Sequence, residues 1–339
     1  MKRFEKTLAK TARSLAATVI MPLVLLLALL QTACGQQTFA VEQGSSNFGQ
    51  QVTYNTEVDV LWVVDTSGSM AKRQAEVAKQ IPFFIEGLNA TGLDYQIGVT
   101  TMDMSGSGSK GRLIAQAGTP LILTKSTSNL VNILAGRVMA GESGSPVERG
   151  REAMLAALNL AKLNGANAGF LRQNSLLNVI FVTDEEDESD NAVDYIAELD
   201  AIKPVLPLGD RSWVAHFMGV SPSDPTCKTA EWGFSSPGTR YISLASASGG
   251  ASESICDADF RRALTNVRSR VLEMLTEFPL DRPPVEASIQ VFVDGVEIPR
   301  SETNGWTYRK SANVIRFHGT AIPKAGARIH VAFDPEGLK

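Results

Sequence analysis

One stretch decides the fold of this chain, the apolar run Val58-Asp59-Val60-Leu61-Trp62-Val63-Val64 followed directly by Asp65-Thr66-Ser67-Gly68-Ser69-Met70. A nearly continuous apolar run of this length is typical of a parallel strand that is buried on both faces. The polar residues follow at its carboxyl end, which is the edge of an open α/β sheet where ligands bind. Because one carboxylate and two hydroxyls alternate along the loop, it predicts a site for a hard divalent cation such as Mg²⁺ or Mn²⁺.

Two later segments support the metal interpretation over a simple turn or helix cap, which short Ser, Gly and Asp strings also form. The first is Glu142-Ser143-Gly144-Ser145-Pro146, which precedes a helical pattern over 147–163 and places the Ser145 hydroxyl at the entrance of that predicted helix. The second is 177–184, a buried-strand pattern that ends in Asp184. Three separate segments therefore bring side-chain oxygens to the predicted ends of strands or helices.

Together these segments resemble the von Willebrand factor type A (vWA) domain and its metal-ion-dependent adhesion site, over a domain-sized span. Asp65, Ser67 and Ser69 match the first motif of that site. Ser145 stands in place of the usual Thr, and Asp184 matches the last acid. The resemblance implies that these five residues hold Mg²⁺ or Mn²⁺, with Ca²⁺ as a further possibility, and that an Asp or Glu of a protein partner completes the coordination. It also implies a non-enzymatic binding or adhesion function.

Two positions depart from the pattern of the family. Ser145 lacks the methyl group that restricts the rotamer of a Thr, and Glu185 stands where many members have Gly. Glu185 belongs to the acidic run 184–190, which is typical of a solvated loop. The alternative for this run is a second Ca²⁺ position, or a negative field that concentrates cations beside the site, with Asp103 on the same rim.

Strand and helix patterns alternate over 57–278, which predicts an α/β fold with a doubly wound, mainly parallel sheet of the vWA or Rossmann-like kind. A strand is expected at 112–115 and a closing helix at 257–278. Beyond that helix, alternating apolar residues flank an Asp294-Gly295 hairpin turn, which predicts a small C-terminal all-β module over 279–339. A module of this size has a marginal core of its own, so we expect it to pack on the main domain.

Residues 1–33 form a predicted signal peptide, in which basic residues precede the apolar stretch Leu15 to Leu30. Cys34 follows that stretch and resembles the lipidated Cys of a bacterial lipobox, which implies an outer-membrane lipoprotein that faces the periplasm or the cell surface. Ordinary cleavage after Gly35 with simple export is the alternative. The polar segment 34–56 is predicted to be a flexible tether between anchor and domain.

The other two cysteines, Cys227 and Cys256, form an even pair in a chain that is predicted to be exported. In an oxidising compartment such a pair predicts a disulfide, and two unpaired buried thiols are the alternative. The enclosed segment 228–255 is rich in Gly, Ser and Pro, which predicts an irregular insertion held by the bond.

Composition and motifs argue against several function classes. The formal charge is -4 at pH 7, and removal of the basic signal peptide makes the chain more acidic, which disfavours nucleic acid as a partner. The chain carries no P-loop, G-x-S-x-G or H-E-x-x-H motif, and its three histidines lie in a predicted strand or in the β module, so an enzyme is not expected. A structural envelope lipoprotein whose metal site only stabilises the fold is the competing interpretation. A hydrolase that uses the metal to activate water is a third.

Overall fold

A computed structural model describes residues 48–53, 57–90, 93–162, 164–203, 211–222, 227, 236–256, 260–324 and 326–337. The predicted signal peptide, Cys34 and the first part of the predicted tether lie outside the described residues. Within the described part of the chain, no helix is long and apolar enough to cross a membrane.

The strands are, in chain order, β1 (Phe48–Thr53), β2 (Glu57–Val64), β3 (Asp94–Thr101), β4 (Leu123–Thr124), β5 (Leu176–Val182), β6 (Trp213–Gly219), β7 (Ser252–Ser254), β8 (Glu277–Pro279), β9 (Gln290–Val293), β10 (Val296–Ile298), β11 (Gly305–Arg309), β12 (Val314–His318) and β13 (Arg328–Phe333). The α-helices are α1 (Ala71–Asn89), α2 (Leu130–Val138), α3 (Gly150–Leu160), α4 (Tyr195–Ile202), α5 (Thr239–Ala247) and α6 (Phe260–Thr276). Short 3-10 turns lie at Glu286–Ser288 and Gly319–Ala321.

The main sheet confirms the predicted α/β fold. Its strand order is β4-β3-β2-β5-β6-β7, and every neighbouring pair is parallel except β4, which runs antiparallel to β3. The central strand β2 is buried on both faces: Val60 and Trp62 face one side of the sheet, and Leu61 and Val63 face the other. Burial on both faces explains why the apolar run is continuous rather than alternating.

Helices cover both faces of this sheet, with α1, α2 and α6 on one side and α3, α4 and α5 on the other. The face of α1 that carries Val77, Ile81, Phe84 and Leu88 is buried. The ring of Phe84 meets that of Trp62 edge to face, with 5.5 Å between centroids. Each large apolar side chain contributes on the order of 1.5–3 kcal/mol by leaving water, so packing against the sheet stabilises the helix.

The C-terminal strands form two small antiparallel sheets, with orders β1-β13-β9-β10 and β11-β12-β8. The predicted hairpin turn is present: Asp294 and Gly295 have φ angles of 50° and 82°, the left-handed conformations that a tight two-residue turn requires. The rings of Phe278 and Phe317 pack edge to face and belong to the same continuous core as the α1 side of the main sheet. The β module therefore packs on the main domain, as expected.

Strand β1 departs from the predicted flexible tether. It pairs antiparallel with β13, in a register that runs from Phe48 opposite Phe333 to Thr53 opposite Arg328. The α/β domain is thus inserted between the first strand of an antiparallel sheet and the strands that complete it. The prediction missed β1 because its residues are mostly polar and its partner strand lies at the far end of the chain.

Other segments also differ from the sequence predictions. No strand forms at 112–115, where Ile114 makes one backbone hydrogen bond to Val99, and β4 takes the place beside β3. Helix α3 begins at Gly150 rather than at 147. The segment 228–255 contains α5 and β7, so its described residues are not wholly irregular. In each case tertiary contacts override a short local pattern.

Cys227 and Cys256 form the predicted disulfide, with their Cα atoms 5.3 Å apart. Cys227 follows β6 and Cys256 follows β7, so the bond joins the chain after two neighbouring strands. Closing a loop of this size stabilises the fold by about 3–4 kcal/mol in the chain-entropy model.

Candidate metal site

Parallel pairing of β2 and β5 brings the two predicted acids to one edge of the sheet. Val64 and Val182 are register partners at the carboxyl ends of these strands, and the backbone N–H of Asp65 donates to the carbonyl of Val182 at 3.0 Å. Asp65 is fully buried and Asp184 is 3% exposed. Both carboxylates therefore lie where an open α/β sheet binds ligands.

The DxSxS loop and Asp184 form a continuous chain of polar contacts. Oδ1 of Asp65 accepts the backbone N–H of Ser67 at 2.7 Å, and Oδ2 accepts the hydroxyl of Thr183 at 2.6 Å. The hydroxyl oxygens of Ser67 and Ser69 lie 3.0 Å apart, and Ser69 donates to Oδ1 of Asp184 at 3.0 Å. Four of the five predicted ligands are thus brought together, and two hydroxyls with two carboxylates suit Mg²⁺ or Mn²⁺.

The fifth predicted ligand, Ser145, lies beside this cluster in an irregular loop. The backbone N–H of Gly144 donates to the carbonyl of Thr66 at 2.9 Å, and a Cβ at Gly144 would meet Thr66 Oγ1 at 2.0 Å, so only glycine permits this approach. The Ser145 hydroxyl accepts the backbone N–H of Val147 at 3.0 Å. The prediction that Ser145 stands at a helix entrance is wrong by about one turn, because residues 146–149 precede α3 as a loop.

Gln74, which the sequence analysis missed, holds the two loops together. Its Nε2 donates both to the carbonyl of Asp65 at 2.6 Å and to the carbonyl of Gly141 at 2.8 Å. Its Oε1 accepts the N–H of Gly141 at 3.1 Å. Gln74 is buried on the first turn of α1. The available signal in the sequence was an amide side chain in the first turn of a predicted helix, since such a group needs polar partners once it is buried.

Glu148 is a further carboxyl group at the site that the sequence analysis missed. It is 1% exposed, its side chain hydrogen bonds to that of Asp65, and its Oε1 has no partner among the described atoms. Burial raises the pKa of Glu148 to about 10, reinforced by Asp65 and by the charges of Glu185 and Asp184. At neutral pH Glu148 is therefore protonated and donates to Asp65. An acid three residues after Ser145, inside an apolar helical pattern, was the signal in the sequence.

The pKa values of the neighbouring acids are raised as well. Burial and the charge of Asp65 raise the pKa of Asp184 to about 6. The same causes, with Asp184 and Glu188, raise the pKa of Glu185 to about 6. Burial also raises the pKa of Asp65. Negative charge is thus crowded at this edge of the sheet, and a divalent cation bound there would relieve the repulsion.

The loop after β3 reaches the same edge through Asp103. Its carboxylate accepts the backbone N–H groups of Ser105 at 2.8 Å and of Ser145 at 3.2 Å. Burial raises the pKa of Asp103, but these hydrogen bonds and the charge of Lys110 outweigh burial, and the net pKa is lowered. Asp103 is therefore ionised and lies on the rim, as expected.

The acidic run after Asp184 is largely used in structural contacts. Glu186 accepts the backbone N–H groups of Thr239 and Arg240 at the start of α5, and Asp187 is buried against Arg151 and Ser189. Among the described residues, no group of three or more His, Cys, Asp or Glu is arranged to hold a metal ion. The site described above differs from such a group, because half of its contacting ligands are hydroxyls.

Comparison with known proteins gives no family assignment. No protein-family model matches the chain, and no curated protein matches it. Solved structures with a similar arrangement include the pilus adhesin SpaC from Lactobacillus rhamnosus GG, at 14% identity and a TM-score of 0.41, covering 85% of this chain and 41% of SpaC. Proximal thread matrix protein 1 from the mussel byssus has 12% identity and a TM-score of 0.40, with coverages of 68% and 51%.

The PilB minor pilin from Streptococcus sanguinis has 12% identity and a TM-score of 0.39, with coverages of 66% of this chain and 63% of PilB. The chain therefore spans less than two thirds of each of these three proteins. At such scores the likeness adds no argument about function, which has to rest on the site itself.

Proposed function

We propose that this chain is a non-enzymatic, vWA-like binding module of the bacterial cell envelope, in which a divalent metal captures an acidic group of a protein partner. Mg²⁺ or Mn²⁺ is the proposed ion, with Ca²⁺ as a further candidate, and the proposed ligands are Asp65, Ser67, Ser69, Ser145 and Asp184. The observation that carries the proposal is the unbroken chain of contacts from Asp65 through the two serines to Asp184 at the carboxyl edge of the sheet.

Charge supports a cation at this place. The charge of Asp65 raises the pKa values of Asp184 and Glu185, and the charge of Asp184 raises the pKa of Glu185 further. The Asp65 carboxylate itself contacts an amide, a hydroxyl and another carboxyl group. A buried carboxylate that lacks a cation is costly. A divalent ion supplies the missing positive charge and polarises whatever oxygen binds next to it.

The same charge distribution supports an acidic partner that binds through the metal. Glu142 and Glu188 are exposed near the site, so an Asp or Glu side chain approaching without a cation meets repulsion. Mg²⁺ favours six oxygen ligands and keeps positions for water or a partner. In the proposed mechanism the hydroxyls and carboxylates of this chain would hold the ion, and the ion would supply the positive charge that binds the partner's carboxylate.

Localisation forms part of the proposal. Export, lipidation of Cys34 and attachment to the outer membrane rest on the sequence pattern of the first 35 residues. The disulfide between Cys227 and Cys256 supports an oxidising compartment. Mass spectrometry of the mature amino terminus should find acylated Cys34, and an unmodified terminus at Gln36 would show simple export instead.

The second candidate is a structural envelope protein whose metal only stabilises the fold. Deep burial of Asp65 and Glu148 favours it, since an ion enclosed on that side has fewer positions open to a partner. The two candidates differ in whether a partner depends on the metal.

Capture from envelope extract tests the proposal. The wild-type protein should retain a partner in Mg²⁺ and lose it in EDTA, and Asp65→Ala should fail to retain it in either buffer. Ser145→Ala should fall between them because it removes only a neutral oxygen. Glu142→Gln is the control on the same loop: it removes an exposed charge that repels an acidic partner and leaves the proposed ligands in place, so it should capture at least as well as wild type. A partner that Asp65→Ala retains as well as wild type would refute metal-dependent capture.

A further inference from the structure

The loop after β3, residues 102–111, is built around one carboxylate. Asp103 is 6% exposed, its carbonyl accepts the N–H of Lys110 at 3.2 Å, and its Oδ1 accepts the N–H of Ser105 at 2.8 Å. Gly108 approaches so closely that a Cβ there would meet the Asp103 carbonyl oxygen at 2.2 Å and Cγ at 2.5 Å. The loop therefore wraps around Asp103 with little room for the carboxylate to move.

The base of this loop is fixed to the sheet. The hydroxyl of Ser109 accepts from the hydroxyl of Thr101 at 2.8 Å and lies 3.2 Å from that of Thr100. Thr100 also donates to the carbonyl of Arg112 at 3.0 Å. The Asp103 carboxylate is thus held by the end of β3, a rigid element of the main sheet.

The remaining oxygen of Asp103 reaches across to the other loop. Its Oδ2 accepts the backbone N–H of Ser145 at 3.2 Å, 42 residues further along the chain. Hydrogen bonds at Gly144 and Val147 hold the neighbouring residues. Fixing the amide of Ser145 fixes the direction of its Cβ and so limits its hydroxyl to the staggered positions around that atom, without contact between Asp103 and the hydroxyl itself.

We propose that Asp103 is a positioning residue for the metal site, which holds the Ser145 loop so that the Ser145 hydroxyl faces the ion. The inference rests on the proposed metal function. It also accounts for a Ser where the vWA pattern has Thr: the hydroxyl of a Ser is free to change rotamer, so a rigidly held backbone compensates in part. Outer-shell partners of this kind typically change metal affinity by about 10–100-fold.

Two glycines allow a test that leaves every charge in place. Gly108→Ala pushes the Asp103 carboxylate out of position, whereas a Cβ at Gly106 meets nothing within 4 Å. With Mn²⁺ alone as the probe, we expect Gly108→Ala to weaken binding severalfold, Asp103→Ala to weaken it at least tenfold, and Gly106→Ala to bind as wild type does. Asp103→Asn keeps one acceptor oxygen for two N–H groups and should lie between wild type and Asp103→Ala.

A double-mutant cycle separates positioning from general loss of structure. In a Ser145→Ala background the hydroxyl is absent, so Asp103→Ala should then cost less than about threefold. Asp194→Ala is the structural control, because Asp194 also accepts two backbone N–H groups, those of Ile196 and Ala197 at the start of α4; its loss should lower stability and leave Mn²⁺ affinity unchanged.

The outcomes are distinct. Wild-type protein that binds neither Mn²⁺ nor Mg²⁺ refutes the proposed function and this inference with it, and Mg²⁺ replaces Mn²⁺ as the probe if it alone binds. Wild-type protein that binds Mn²⁺, combined with unchanged affinity in Asp103→Ala and Gly108→Ala, refutes the inference alone. Fully additive losses in the Asp103→Ala, Ser145→Ala double variant also refute it. If Asp103→Ala fails to fold, Gly108→Ala and Asp103→Asn carry the decision.

Discussion

One buried aspartate lies near the amino end of strand β2 and another directly follows its carboxyl end, and the two have opposite electrostatic surroundings. Asp59, at the amino end, accepts from Arg172 Nε at 2.7 Å, from the backbone N–H of Arg172 at 2.7 Å and from the hydroxyl of Ser175. Asp65, at the carboxyl end, has amide and hydroxyl donors and a second carboxyl group, Glu148. Both are fully buried.

A structural acid and a binding acid differ in the charges that surround them. Burial raises the pKa of both aspartates, but the chain places a guanidinium against Asp59 and more acids against Asp65. A carboxylate with a structural function is paired with a cationic side chain of the same protein. A carboxylate grouped with acids of its own sign is suited to a cation from solution.

The largest expected effect lies at the structural end. Asp59→Ala removes the fully buried partner of Arg172, whose guanidinium then keeps only weaker, more exposed acidic neighbours. The variant should lower the free energy of unfolding by about 3–5 kcal/mol, measured by urea denaturation. Mn²⁺ affinity should not change. Asp94→Ala is the control, since Asp94 pairs with the same Arg172 but its side chain is 51% exposed, and it should cost less than about 1 kcal/mol. Equal losses in both variants would contradict the distinction.

The next effect is a pH dependence at the binding end. The folded pKa values of Asp184 and Glu185, about 6, exceed their ordinary values of 3.8 and 4.5. Their contribution to stability is therefore present below pH 4 and is lost as the pH rises through 6. Since Glu185 is partly solvated, we expect metal-free protein to lose only about 1–3 kcal/mol over this range relative to an Asp184→Asn, Glu185→Gln variant.

Mg²⁺ should reduce this loss, because the ion binds the ionised carboxylates. Unfolding curves at pH 4, 5, 6 and 7 in EDTA and in Mg²⁺ measure both effects. A metal-free wild type whose pH profile parallels that of the double variant would show that these acids are not crowded.

The smallest effect concerns Glu148. At pH 7 its carboxyl group is protonated, since its pKa is about 10, and Glu148→Gln keeps a neutral donor to Asp65. At pH 4, where the carboxyl group is protonated in both the folded and the unfolded chain, the free energy of unfolding of the metal-free protein should change by less than about 0.5 kcal/mol. The variant should become more stable than wild type as the pH rises from about 4.5 towards 10, because Glu148 of the unfolded wild type ionises while the folded protein keeps it protonated. Thermal unfolding at pH 4 and pH 8 checks this, and a large loss at pH 4 or an unchanged difference at pH 8 would contradict it.

Local patterns were sufficient for the centre of the fold and for part of the site. The run that leads to Asp65 and the strand that leads to Asp184 are buried on both faces, so their apolar character is strong. Their parallel pairing follows from the alternation of strands and helices. Because these two neighbouring strands end at the same edge of the sheet, the residues that follow them, Ser67, Ser69 and Asp184, come into contact.

What the sequence left unpredicted depends on contacts between distant segments. Strand β1 exists through its ladder to β13. Gln74 and Glu148 belong to the site because loops from different strands converge there. Their place within helical patterns signals that each needs a polar partner, but it does not indicate which distant loop supplies that partner. The helix after Ser145 was predicted to begin too early for the same reason. Pro146 and Val147 suit a helix start, but the hydrogen bonds at Gly144 and Ser145 hold the chain in a loop.

Calorimetric titration of Mg²⁺ and Mn²⁺ into wild-type protein and Asp65→Ala tests the central claim most directly. We expect wild type to bind one ion per chain. Asp65→Ala loses a carboxylate ligand, so its affinity should fall by more than the 10–100-fold that outer-shell changes cause, while it remains folded because the site lies at the edge of the sheet. Wild-type protein that binds neither ion, or an Asp65→Ala variant that binds as tightly as wild type, would contradict a metal site at the carboxyl end of β2.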